Sequence, residues 1–127
     1  MDHSKDAFSL KKRIKSFAYA FNGLWVLIRD EHNARIHLFF AILTISTGFY
    51  FSISAIEWLI LMLTIGFVFV AEFFNSAIEA LADKISEEKN PMIKKAKDLA
   101  AGGVLFAAII SVIVGLIIFG PRLLELI

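Results

Sequence analysis

The sequence predicts an all-α integral membrane protein: an N-terminal amphipathic surface helix followed by three transmembrane helices. Of 127 residues, 58% are apolar, the formal net charge is only +1, and the mean hydropathy is strongly positive. The apolar residues gather into three long runs separated by short polar stretches. The only two prolines, Pro91 and Pro121, lie outside those runs, as long uninterrupted helices require. The length allows one domain. There is no cysteine, which excludes disulfides, thiolate metal sites and a cysteine nucleophile.

Residues 1–8 are expected to be a flexible N-terminus and 9–30 the surface helix. Ile14, Phe17, Ala18, Phe21, Leu24, Trp25 and Ile28 recur at three- and four-residue spacing, with Lys11, Lys12, Lys15 and Asn22 elsewhere on the helix. That pattern suits a helix lying on an anionic membrane surface; a helix packed on protein would share it. No short apolar core with a small-residue cleavage site follows the early lysines, so the N-terminus is expected to be retained. The knot Arg29–His37 is read as too polar to span.

The first span is placed at 36–56, with Phe49, Tyr50 and Phe51 near its far end as an interfacial belt. A polar break at Glu57-Trp58 leads to the second span, 58–82. A polar loop over Asp83–Asp98 carries Lys84, Lys89, Lys94, Lys95 and Lys97, with Asn90-Pro91 as a turn signal. The third span is 99–119, opening on Ala100-Ala101-Gly102-Gly103, small residues that permit close helix approach. Gly120-Pro121 is expected to end it. Lysine and arginine concentrate before the first span and between the second and third, while 52–57 has none. The N-terminus and the 83–98 loop are therefore expected in the cytoplasm, and the C-terminus outside. Three spans enclose little by themselves, so a homo-oligomer is expected.

The second span carries the chemistry. Trp58–Ala71 has no charge, yet Glu72-Phe-Phe-Asn-Ser-Ala-Ile-Glu-Ala-Leu-Ala-Asp83 follows directly. At about 100° per residue, Glu72, Glu79 and Asp83 fall within about 40° of one another, with Asn75 near the same face. Ionisable groups at membrane depth cost several kcal/mol unless paired, wetted or metal-bound, which marks a functional site. Asp83, and on one reading Glu79, would simply mark the water interface. A protonated Glu72 inside a helix bundle is the corresponding bland reading for that residue.

Carboxylates with an asparagine and a lysine at a membrane boundary suit phosphoryl transfer. Two carboxylates, here Glu31 and Glu79, can hold a magnesium ion that bridges nucleotide phosphates. Lys97 can pair with phosphate, and Glu72, about two turns deeper than Glu79, can reach a lipid headgroup and accept a proton from its hydroxyl. No Gly-rich phosphate loop is present, which excludes a soluble kinase fold. His3, His32 and His37 lack the spacing of a zinc motif, and topology accounts for the basic residues without nucleic acid.

The run Glu72–Asp83, followed after a loop by Ala96-Lys97-Asp98, resembles the prokaryotic diacylglycerol kinase family of small integral membrane lipid kinases. The resemblance covers about Lys12 to Phe119. It implies a homotrimeric helical bundle in the bacterial cell membrane, with a cytoplasmic active site that moves the γ-phosphate of Mg-ATP to a membrane alcohol. Carried over by position, it implies Glu72 as general base, Glu31 and Glu79 as metal ligands that also contact ATP, and Asn75 beside the site. Tyr19, Glu88, Lys97 and Asp98 match nucleotide contacts. Lys89 and Asn90 adjoin Glu88 without matching in identity. Asp83 closes the motif, and Lys12 stands where the family has arginine, keeping charge without bidentate geometry.

Two departures bear on the substrate. Arg35-Ile36-His37 replaces an Arg-Gln-Glu run of the Gram-negative branch, and Ala100-Ala101-Gly102-Gly103 replaces a Gly-Ser-Ala-Ala type sequence. Both resemble the Gram-positive branch, whose members are mostly undecaprenol kinases. The expected substrate is therefore undecaprenol, with diacylglycerol the alternative. A small channel or proton-coupled carrier would also place Glu72 and Glu79 inside a bundle, but it needs neither Lys97-Asp98 nor Glu31. A non-catalytic scaffold would tolerate neutral substitution of the acidic face.

Overall fold

A computed structural model describes residues 7–85 and 89–127. The first six residues of the expected flexible N-terminus therefore lie outside the described residues. The chain forms four helices: α1 (Leu10–Asp30), α2 (His32–Phe51), α3 (Ala55–Ile85) and α4 (Pro91–Glu125). α2, α3 and α4 are each long and apolar enough to cross a membrane, and no more than 22% of the most apolar stretch of any of them is buried within the chain. Their outer faces carry Leu59, Leu63, Phe67, Leu105, Phe106 and Leu116, all largely exposed. In water such a surface would drive aggregation.

Each helix end has a local chemical cause. Ser9 caps α1 by accepting from the Lys12 amide at 3.4 Å. α2 ends at Ser52, a left-handed residue with φ of 50° whose amide bonds back to Gly48 and Phe49 carbonyls. α3 begins with a capping box. The Ser54 hydroxyl accepts from the Glu57 amide at 3.2 Å and the Glu57 carboxylate accepts from the Ser54 amide at 3.1 Å. Asn90 caps α4 by accepting from the Met92 and Ile93 amides, and Pro91 takes the first turn, where a missing N–H costs nothing.

Several boundaries differ from those expected. The first span stops at Phe51 and not at 56, because Ser52 turns the chain and Glu57, read as a polar break, instead caps the start of α3. The Arg29–His37 knot divides: Arg29-Asp30 end α1, and from His32 onward the polar residues form the first turns of α2. The expected 83–98 loop is shorter, since α3 continues to Ile85 and α4 starts at Pro91. Pro121 does not end the helix. It lies inside α4, which continues to Glu125, and the Arg122 side chain donates to the Ile118 carbonyl at 2.7 Å beside the position where proline supplies no amide hydrogen.

α3 packs principally along α4, with α2 joined to α3 by a smaller contact. On α2 the buried residues are Ala34, Ala41 and Gly48; on α3 they include Leu61, Val68, Asn75 and Ala82. Both series step by seven, the repeat of helices that pack at a shallow angle. At one end Ile53, Leu61, Ile118 and Phe119 form an apolar core bordered by Phe51, Trp58, Ile65 and Val114. The polar end of α3 lies away from this core.

Candidate active site

Glu72 is the most deeply buried large side chain of the described residues, 1% exposed. It sits 14 residues past Trp58 on α3, roughly 20 Å along the helix axis. Its partner comes from α2: His37 Nε2 lies 3.2 Å from Glu72 Oε1. The approach is within ion-pair distance, but its alignment leaves Oε1 without a regular hydrogen bond. Close contact of α2 and α3 here follows from Ala34 and Ala41, both buried, which flank His37 one turn away on the same face.

One turn along α3, Asn75 is also buried, and its Oδ1 and the Ser76 Oγ have no hydrogen-bond partner. Thr44, Ser46, Thr47, Thr64 and Ser111 all return their hydroxyl hydrogens to their own helix backbones. Ser76 does not. A single turn thus presents an unsatisfied carboxylate oxygen, amide oxygen and hydroxyl, an arrangement that costs stability unless a ligand or water completes it.

Glu31 and Glu79 lie near enough for their charges to act on Glu72. Glu31 occupies the junction of α1 and α2 and spends no side-chain hydrogen bond on capping α2. Its neighbour Asp30 is engaged by Arg29 at 2.7 and 3.0 Å, and that guanidinium holds the Asp30 carboxyl below its ordinary range. Glu79 is half-buried and acts electrostatically on Lys97 of α4, which donates to Asp83 at 2.8 Å. The structure therefore brings Glu31, Glu72, Glu79, Asp83 and Lys97 to one end of the bundle. Among the described residues, no three His, Asp or Glu side chains converge on one metal-sized point.

Other expected site residues are placed differently. Tyr19 and Lys12 are exposed on α1, and Lys89 is exposed before α4. Asn90 uses its side-chain oxygen as the α4 cap, and Asp98 pairs with Lys94. Glu88 lies outside the described residues. Sequence reasoning missed His37 as a neighbour of Glu72. Its signal is faint: a histidine midway between two alanines seven apart, on a helix whose small residues repeat at that interval.

Comparison with known proteins adds the lineage. A family model described as prokaryotic diacylglycerol kinase matches residues 18–119. An undecaprenol kinase from Bacillus subtilis is 42% identical over 123 residues, covering 97% of this chain and 100% of the relative. A diacylglycerol kinase from Synechocystis is 38% identical over 112 residues, 87% of this chain and 64% of that protein. The diacylglycerol kinase of Escherichia coli K12 is 31% identical over 100 residues, 79% and 82% of the two chains. Matched along most of its length and carrying the acidic turn of α3 within the matched region, the chain belongs to the prokaryotic diacylglycerol kinase family.

Proposed function

We propose that this lipid kinase phosphorylates undecaprenol, transferring the γ-phosphate of ATP to the terminal hydroxyl at the cytoplasmic face of a bacterial cell membrane. The observation that carries the chemistry is the burial of Glu72 beside unsatisfied polar atoms, with Glu31 and Glu79 close by. The acceptor identity rests on similarity to the Bacillus subtilis undecaprenol kinase over almost the whole chain.

In the proposed reaction Glu72 accepts the proton of the acceptor hydroxyl. The acceptor oxygen bonds to the γ-phosphorus, the bond from that phosphorus to the β,γ-bridging oxygen breaks, and ADP leaves. Glu31 and Glu79 would hold magnesium: both supply carboxylate oxygen, and magnesium takes one or two protein carboxylates and completes its shell with phosphate and water. When bound, the ion neutralises charge developing on the phosphates. Lys97, bonded to Asp83, would pair with the nucleotide, and Tyr19, Glu88, Lys89, Asn90 and Asp98 are the further nucleotide-side residues of this reading. Asn75 and Lys12 are the site-supporting residues of the same reading.

α1 is assigned to the membrane surface because Phe17, Phe21 and Trp25 are exposed in the single chain while Lys11, Lys12, Arg13 and Lys15 share the helix. The cytoplasmic orientation follows from positive charge at that end; at the opposite end Arg122 is paired with Glu57. The functional unit is a homotrimer on the family resemblance, and the exposed Gly102-Gly103 segment of α4, open to close approach, is consistent with helix association.

The test offers undecaprenol and diacylglycerol separately to the purified protein in mixed micelles with Mg-ATP. A higher kcat/KM for undecaprenol supports the assignment. Preference for diacylglycerol would replace the acceptor while keeping the kinase, and labelling of neither lipid would overturn both.

A further inference from the structure

A mostly apolar groove includes His37, the neighbour of Glu72, in its lining. It runs between α2, α3 and α4 and is lined by Phe40, Ala41, Leu61, Ile65, Val68 and Phe69. Thr44, Thr64 and Ser111 also line it, but each has donated its hydroxyl hydrogen to its own helix: Thr44 to Phe40 and Ala41, Thr64 to Ile60, and Ser111 to Ala108. Those walls offer hydrocarbon-compatible surface with no spare donor. His37 is the exception. It lines the groove and its Nε2 stands 3.2 Å from Glu72 Oε1.

From this geometry we infer that His37 is a positioning residue for Glu72, presenting Nε2–H to Oε1 and thereby fixing the carboxylate so that its other oxygen faces the acceptor hydroxyl. The inference rests on the kinase reading above for its consequence in turnover, but the pairing itself does not. A carboxylate on one helix has several staggered rotamers, and Glu72 receives no regular hydrogen bond at Oε1 from its own helix. A donor carried by a second helix selects one of them. Two buried alanines bring α2 near enough to supply it, and the imidazole Nε2 needs no movement of α2 to reach Oε1. Rotation of the ring about its side-chain bonds would turn the close approach into an aligned bond without moving α2.

Three substitutions separate positioning from packing. His37→Ala removes the donor and the volume, His37→Leu removes the donor and keeps an apolar side chain, and His37→Gln keeps an N–H at nearly the same reach. For phosphate transfer to undecaprenol, the Ala and Leu variants are expected to lose at least tenfold in kcat with the KM for Mg-ATP within twofold of the parent. Gln should restore kcat to within about threefold. Unchanged kcat in Ala and Leu, or a Gln variant as impaired as Leu, would overturn the inference.

A readout independent of turnover accompanies the kinetics. In protein labelled with 15N-histidine and held in micelles, the His37 Nε2 resonance is expected to move when Glu72 is replaced by Gln, while those of His3 and His32 stay in place. An unmoved His37 resonance overturns the pairing whatever the lipid assay shows. A moved resonance in a protein that phosphorylates neither lipid upholds the pairing and rejects the kinase reading instead.

Discussion

Arg122 grips Glu57 with both terminal nitrogens, Nη1 to Oε2 at 2.7 Å and Nη2 to Oε1 at 2.9 Å. The pair joins the first turn of α3 to the last turns of α4, and Glu57 also caps α3. It lies on the other side of α3's midpoint from the acidic turn, so one helix carries an interhelical ion pair at one end and the buried Glu72 turn toward the other. A bidentate, partly buried pair of this kind holds geometry better than a single contact.

Glu57→Gln is expected to lower the thermal midpoint in detergent while specific turnover at permissive temperature stays near the parent value. The double variant Glu57→Gln/Arg122→Met should melt above Glu57→Gln alone, since removing one partner leaves the other unpaired. Thermal unfolding followed by circular dichroism checks both. A single variant as stable as the parent would show the pair to be incidental.

Gly48 marks a second packing constraint. A Cβ there would come within 2.7 Å of Trp58 Cη2 and 3.2 Å of Ile53 Cδ1. Gly48→Ala should therefore destabilise the α2–α3 corner by about 1–3 kcal/mol, the range for overpacking. Alanine at Gly23, where nothing lies within 4 Å, is the control and should not lower the melting midpoint.

Glu79→Gln should raise the magnesium concentration for half-maximal ATP use by roughly tenfold or more, equivalent to about 1.4 kcal/mol. Magnesium titration of the rate, with chelator as the zero point, checks this, and size-exclusion chromatography should show assembly unaltered. Loss of assembly with an unchanged magnesium requirement would make Glu79 structural.

Lys97→Met should raise the KM for ATP and leave the melting midpoint unchanged. The Lys97–Asp83 pair is well exposed, so it contributes little to stability, and under the proposed function its effect is expected in nucleotide binding. An unchanged KM would remove Lys97 from the site.

Much of this architecture was legible in the sequence because a bilayer makes length and apolarity decisive. Three long apolar helices and a helical α1 follow from the hydrophobic pattern, and the acidic face of α3 follows from the 3.6-residue period. The start of α2 was not legible: His32, Arg35 and His37 read as too polar for a span, whereas the helix uses them at its end and along its packed face. Pro121 read as a stop, but it lies in the last turns of α4, where the helix continues to Glu125 past the one amide hydrogen that proline does not supply. The Glu57–Arg122 and His37–Glu72 contacts join different helices across 65 and 35 positions, and no local spacing rule reports such pairs.

The central claim is that Glu72 takes the proton of a lipid hydroxyl. Its most direct test is single-turnover transfer of labelled γ-phosphate from Mg-ATP to undecaprenol, comparing the parent with Glu72→Gln at saturating nucleotide. The predicted result is a rate lower by about a hundred- to ten-thousandfold, with ATP binding preserved. Transfer at the parent rate by Glu72→Gln would contradict it.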